Sequence, residues 1–229
     1  MILTKIDGKA EIYPAVQGEG RTIGMPCIFV RLFGCSLRCA FCDSKHTFEN
    51  CNSINLTTEE VVKEIRSLQI ERVVFTGGEP GLQYKEIEKV IDKLGSGYLF
   101  ELETNGTIVY PESFISKISQ INCSPKLKSS NQLNNLDSKR FNKEAIKSLP
   151  LERTIFKFVI SNEKEDMIEL MDWRTINKIP RSNIYLMPEG INSQKIIEGT
   201  RNLIEKYSSK GYNISTRLHI ILYNNLKKV

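Results

Sequence analysis

The sequence predicts an α/β fold with a mostly parallel sheet and helices packed outside it. Three observations carry that reading. Apolar, β-branched runs recur along the chain, amphipathic stretches of helical period lie between them, and polar or Gly/Pro-rich segments follow the runs. The runs are CIFVRLF (27–33), RVVFTGG (72–78), YLFELET (98–104), QINCS (120–124), TIFKFVIS (154–161), NIYLMPEG (183–190) and TRLHIILY (216–223), and each reads as a buried parallel strand. Between them, TTEEVVKEIRSL opens on Thr57 with Glu60 three positions on, a capping box that marks a helix start. QYKEIEKVIDKL (83–94) and INSQKIIEGTRNLIEKY (191–207) have the same helical period. Residues 127–150 are polar and predict a surface loop plus one helix. No repeat or linker divides the chain, so residues 1–229 are expected to form one domain.

Composition narrows the function. A chain of 229 residues with 40% hydrophobic content fills a core without disulfides. The first ten residues, MILTKIDGKA, lack a secretory h-region and no apolar run approaches a membrane span, which predicts a cytoplasmic protein. The formal charge of +5 is scattered among acids, with only the pair Lys227 and Lys228 adjacent near the C-terminus. That pattern argues against a nucleic-acid surface and suits an anionic small substrate.

In α/β folds of this kind function gathers where strands end and loops begin. Five such loops are expected on one face: GCSLRCAFCDS after the first run, then TGGEP, ETNGT, CSPK and MPEG. The first places Cys35, Cys39 and Cys42 in a C-x3-C-x2-C spacing. Clustered thiols in a reducing compartment point to metal or redox work. A structural zinc site would need a fourth ligand, and His46 is near enough to be offered. An iron–sulfur cluster is the other reading: ordinary four-iron clusters take four thiolates, so three leave one iron open to a small molecule. Cys27, Cys51 and Cys123 repeat no paired spacing; Cys27 reads as a strand-interior core residue and Cys51 as a loop thiol.

The cysteine loop resembles the signature of the radical S-adenosylmethionine enzymes, and TGGEP resembles their glycine-rich loop. IYPAVQGEGRTIGMPCIFVRLFGCSLRCAFCDS, ETNGT, CSPK and RLHIILY together are similar to the 7-carboxy-7-deazaguanine synthase family, nearly end to end. The resemblance implies a partial, incomplete TIM-type β/α barrel. It implies a [4Fe-4S] cluster on Cys35, Cys39 and Cys42 that passes one electron to S-adenosylmethionine, releasing methionine and a 5′-deoxyadenosyl radical. The radical takes hydrogen from carbon 6 of 6-carboxy-5,6,7,8-tetrahydropterin, and the ring contracts with loss of ammonia.

The same resemblance assigns residues. Val16, Gln17, Gly18 and Glu19 would read the pterin edge, Arg31 would grip its carboxylate, and Thr76 and Val229 would complete the substrate side. Backbone groups of Gly77, Gly78 and Glu79 would meet the cofactor amine. Phe41, Cys42, Asp43, Glu103 and Asn105 would face the cofactor, with Ser124, Pro125, Lys126, Met187, Pro188 and Glu189 behind it. Ser44, where the family has threonine, would hold Mg²⁺ against the substrate carboxylate. A flavodoxin-type or similar electron donor and a homodimer are also implied. A planar guanidinium suits a carboxylate, yet Arg31 would serve equally in a structural ion pair at a strand end. His219, inside an apolar run, reads as a core histidine. The other readings are an activase that installs a glycyl radical on a partner protein and a zinc-binding structural module.

Overall fold

The computed structural model describes residues 1–48, 52–133, 136–224 and 226. Strands β1 (Ile2–Ile6) and β2 (Lys9–Ala10) form a hairpin whose turn puts Asp7 and Gly8 at φ 53° and 76°. That is the left-handed geometry an Asp-Gly pair adopts at little cost. β3 (Ile12–Val16) runs antiparallel to β4 (Pro26–Leu32), and β5 (Ser53–Asn55) pairs with β1.

From β4 onward strands and helices alternate. The order is α1 (Thr58–Ser67), β6 (Arg72–Gly77), α2 (Tyr84–Leu94), β7 (Leu99–Thr104), α3 (Glu112–Ile115), β8 (Gln120–Cys123) and α4 (Lys143–Lys147). Then come β9 (Thr154–Ile160), α5 (Glu163–Asn177), β10 (Ile184–Pro188), α6 (Ser193–Tyr207), β11 (Asn213–Ile214) and α7 (Leu218–Tyr223). Strands β4, β6, β7, β8, β9, β10 and β11 lie side by side in that order, every pair parallel. β11 and β2 end the strand order without pairing to each other, so the sheet stays open as a partial barrel.

The core follows from the sequence pattern. Ile28, Val30, Leu32, Val73, Phe75, Leu102, Phe156 and Phe158 are fully buried, and each such side chain contributes roughly 1.5–3 kcal/mol. Helix α1 begins with the expected capping box: the Thr57 hydroxyl accepts from the Glu60 N–H at 3.2 Å and the Glu60 carboxylate accepts from the Thr57 N–H at 2.8 Å. It turns Val61, Val62 and Ile65 inward, while α2 buries Ile87, Val90, Ile91 and Leu94. Among the described residues no helix is long and apolar enough to cross a membrane.

One predicted strand is a helix. TRLHIILY contains α7, with the Ile220 and Ile221 N–H groups both donating to the Arg217 carbonyl at 3.0 Å. The edge of β10 is already taken by β11, where Tyr185 faces Asn213. A short apolar run has no period that separates strand from helix, and here the helix turns Ile220 inward while Leu222 and Tyr223 stay exposed. Helix α5 went unpredicted because its apolar residues point both ways. Met167, Leu170 and Trp173 are buried, whereas Ile168, Met171 and Ile176 are exposed.

Candidate active site

A cavity of about 300 Å³ sits at the C-terminal ends of the parallel strands, and all five predicted loops reach it. Arg31 of β4, Thr76 of β6, Glu103 of β7, Val159 of β9 and Met187 of β10 supply strand-end side chains to its wall. Cys35, Cys39 and Cys42 open into the same space with Phe41, Asp43 and Ser44.

The three thiols are half-buried and unbridged. Burial pushes Cys35 up to about 11 and raises Cys42 as well, which a bound cation would oppose by favouring the thiolate. Among the described residues no three His, Cys, Asp or Glu side chains gather tightly enough to share one metal ion. Three thiols opening into one cavity can give one thiolate to each of three irons and leave the fourth open, so the donor set fits a four-iron cluster. His46 is engaged by another partner: its Nε2 lies 2.9 Å from Glu11 Oε2. Cys27 is a core residue, pushed up to about 12 by burial, and Cys123 is buried against Gly106.

The glycine-rich loop is set by close backbone approach. The Gly78 and Glu79 N–H groups donate to the carbonyls of Leu32 and Gly34 at 3.2 and 2.8 Å, and a Cβ on Gly78 would stand 2.0 Å from the Gly34 oxygen. With its donors spent inward, the loop can offer a ligand acceptors, which is what an ammonium group needs. The Glu79 side chain points away from the cavity. It accepts from the Asn105 N–H at 2.7 Å, the Gly81 N–H at 2.9 Å, Thr104 Oγ1 at 2.8 Å and Tyr110 Oη at 3.0 Å. TGGEP and ETNGT are thereby tied together. Asn105 Nδ2 donates to Ser36 Oγ at 3.0 Å, and Lys126 folds onto the Ser124 carbonyl and hydroxyl at 2.7 Å.

Charge is concentrated on the wall facing the cysteines. Glu19 lies between Lys157, at 2.5 Å, and Arg217, at 3.0 Å, with His219 at 3.9 Å. Burial alone would raise its carboxyl, but Lys157 and Arg217 outweigh that and hold it well below the usual carboxylate range. Lys157 also meets Glu103 at 3.0 Å; there burial prevails, with Glu19 and Glu101 adding to it, and the carboxyl is pushed up. Arg217 additionally pairs with Asp43 of the cysteine loop and donates to the Gly190 carbonyl at 2.8 Å. Gln17 Nε2 reaches Glu103 at 3.1 Å, and its Oε1 accepts from the Glu19 N–H at 3.3 Å. Gly18 packs so closely on α7 that a Cβ there would lie 2.3 Å from His219 Nδ1. His219 is thus a cavity residue on a helix, its imidazole lowered by burial, rather than a core histidine of a strand.

Arg31 lines the cavity and is paired as well: its Nε is 3.3 Å from Glu11 and its Nη2 3.2 Å from Tyr13 Oη. The guanidinium is therefore braced in place by the ion pair considered from sequence. Ser44 donates to Asp43 Oδ1 at 3.0 Å.

Of the expected site residues, Val16, Gln17, Gly18 and Glu19 stand together on the wall, as do Gly77, Gly78, Asn105, Ser124, Lys126 and Glu189. Glu79, Pro125 and Pro188 are not on it. Val229, the thiol of Cys51 and the pair Lys227 and Lys228 lie outside the described residues. Sequence reasoning missed Glu11, Lys157 and Arg217. A single lysine inside the apolar run TIFKFVI was a usable signal, because a lysine is almost never fully buried unless paired.

An open, mostly parallel β/α sheet with three thiols and a glycine-rich loop at its C-terminal edge defines a radical S-adenosylmethionine domain, and residues 30–124 match the Radical SAM superfamily. The 7-carboxy-7-deazaguanine synthase of Pyrobaculum aerophilum is 31% identical over 219 residues, 95% of each chain. That of Halobacterium salinarum is 31% identical over 236 residues, 94% of this chain and 90% of its own. This chain belongs to the 7-carboxy-7-deazaguanine synthase family. The crystal structure of QueE from Escherichia coli shares the fold, with a TM-score of 0.69 at 24% identity over 90% of this chain and 91% of that one.

Proposed function

We propose that this protein is a radical S-adenosylmethionine 7-carboxy-7-deazaguanine synthase, a carbon–nitrogen lyase that contracts the ring of 6-carboxy-5,6,7,8-tetrahydropterin with loss of ammonia. One observation carries the reading: a single cavity brings the three thiols together with Gln17, Glu19, Glu103 and Arg31 in a chain that matches synthases along nearly its whole length. A [4Fe-4S] cluster on Cys35, Cys39 and Cys42 supplies, when bound, the electron that cleaves S-adenosylmethionine.

The protein's own residues bind, orient and exclude. Lys157 and Arg217 keep Glu19 an ionised acceptor despite burial, suited to the N–H edge of a pterin. Arg31, braced by Glu11 and Tyr13, presents a fixed cation to the substrate carboxylate with little orientation left to lose on binding. Val16, Phe29 and Phe41 supply apolar wall that keeps water from the reacting atoms. The carbonyls of the glycine-rich loop receive the cofactor amine, and Asn105, Ser124 and Lys126 line its remaining length.

The finer assignments belong to the same reading. Ser44 holds Mg²⁺ with the substrate carboxylate. Residues 1–229 act as one domain, supported by the single sheet that all described strands join. The enzyme works as a cytoplasmic homodimer reduced by a flavodoxin-type donor. An activase of a partner protein is not favoured, since the relatives matched end to end are named synthases.

Anaerobic turnover of the reconstituted protein with the tetrahydropterin tests the proposal. Formation of 5′-deoxyadenosine and 7-carboxy-7-deazaguanine is expected. Cofactor cleavage without the deazaguanine product would overturn it.

A further inference from the structure

Each of the three thiols receives an N–H. Leu37 N and Asn105 Nδ2 lie 3.5 and 3.9 Å from Cys35 Sγ, the Ser44 backbone serves Cys42, and Gln132 Nε2 lies 3.0 Å from Cys39 Sγ. Two of these donors are backbone groups of the cysteine loop itself. The contact to Cys39, shorter than that of Asn105 to Cys35, comes from a side chain of the polar segment 127–150, 93 positions away in sequence.

That segment clasps the cysteine loop. Ala40 N donates to the Ser130 carbonyl and Leu133 N to the Arg38 carbonyl, both at 2.9 Å. The Arg38 N–H donates to Gln132 Oε1 at 2.8 Å. A backbone N–H can only donate, so it fixes which end of the Gln132 amide is oxygen and turns the NH₂ group toward Cys39. Ser130 Oγ, 2.8 Å from Nε2, holds the same orientation.

We infer that Gln132 is a positioning residue that sets the reduction potential of the bound cluster through its N–H···S contact with Cys39. The inference rests on the cluster reading above. Reduction adds one negative charge to the cluster and its thiolates, and a hydrogen bond to a thiolate stabilises the more negative state more strongly. The donor therefore raises the potential, making the one-electron reduction that precedes cofactor cleavage easier. Without it the oxidised cluster is favoured.

Two variants separate this role from a purely structural one. Gln132→Glu keeps the oxygen that accepts from Arg38 N–H, and hence the clasp, but sets an acceptor against the sulfur. Gln132→Met keeps side-chain bulk and removes the donor. The reconstituted full chain is titrated anaerobically, reading the reduced cluster by electron paramagnetic resonance, with iron, sulfide and circular dichroism measured alongside. At a fixed applied potential the reduced-to-oxidised ratio is expected to fall roughly tenfold in Gln132→Glu, a shift of about 59 mV to more negative potential. Gln132→Met should move in the same direction by less. An unchanged potential in Gln132→Glu at full iron content overturns the inference, and if that variant takes up less iron, an unchanged potential in Gln132→Met does so alone. A wild-type chain that takes up no iron and sulfide would overturn both this inference and the function proposed above.

Discussion

The Nε of Arg217 lies 3.0 Å from Oε1 of Glu19, joining residues 198 positions apart in the chain. Through the same guanidinium the pair extends to Asp43 and the Gly190 carbonyl, so one side chain fastens the segment after β3, the cysteine loop, the end of β10 and the start of α7.

Arg217→Met should leave two half-buried carboxylates, those of Glu19 and Asp43, short of a partner. Breaking a buried pair costs about 3–5 kcal/mol, and for a chain of this size that corresponds to a fall in Tm of roughly 10 °C. Thermal unfolding followed by circular dichroism measures it. A loss of under about 2 °C would show that Lys157 alone neutralises Glu19.

Acid stability should depend on Glu11. Burial would raise its carboxyl, but the hydrogen bond with His46 and the charge of Arg31 take it from the ordinary 4.5 down to about 2. A depressed carboxylate contributes stability that is complete above its unfolded value and lost as pH falls through the folded one. The advantage of the parent over Glu11→Gln is therefore expected to shrink by about 3 kcal/mol as pH falls from about 4.5 toward 2. Urea unfolding across that window is the measurement; an advantage independent of pH would mean that Glu11 stabilises as a hydrogen-bond acceptor rather than as a charge.

Gly78→Ala should disable the cofactor side without unfolding the sheet. The added carbon would stand 2.0 Å from the Gly34 carbonyl, a backbone atom that cannot swing aside. The loop must move off the cysteine loop, at a cost of about 1–3 kcal/mol, and S-adenosylmethionine binding measured by calorimetry should weaken at least tenfold. Wild-type affinity would show that the loop backbone makes no cofactor contact.

The proposed Mg²⁺ site uses one protein hydroxyl, that of Ser44. If it shares Mg²⁺ with the substrate carboxylate, Ser44→Ala should lose most of the stimulation of turnover by Mg²⁺ while the iron–sulfur spectrum is unchanged, and Ser44→Thr should recover it. An alanine variant stimulated as strongly as the parent would place the metal elsewhere.

Much of the site was legible because its loops are short and follow strands whose apolar runs are plain. TGGEP, ETNGT and CSPK each occur within two or three residues of a strand end, so their convergence followed from a parallel sheet alone. The Asp7-Gly8 turn was equally readable as a hairpin signal but had no long apolar runs beside it. What escaped were long-range pairings. Nothing in the run TIFKFVI says that Lys157 will meet Glu19 and Glu103, and nothing around Gln132 says that it will reach Cys39. Partner choice over such distances is settled by tertiary packing, whereas the helix and strand periods are local.

The span of the Arg217 junction has a consequence in time. The cysteine loop leaves the ribosome first, and the side chain that fastens it is translated about 175 residues later, roughly 10–35 s at ordinary synthesis rates. For the first half of that interval the cysteine loop has neither the clasp of Gln132 nor the anchor of Arg217, and for the second half it still lacks the anchor. A chain that ends before Arg217 lacks the guanidinium that ties Asp43 of the cysteine loop to Glu19.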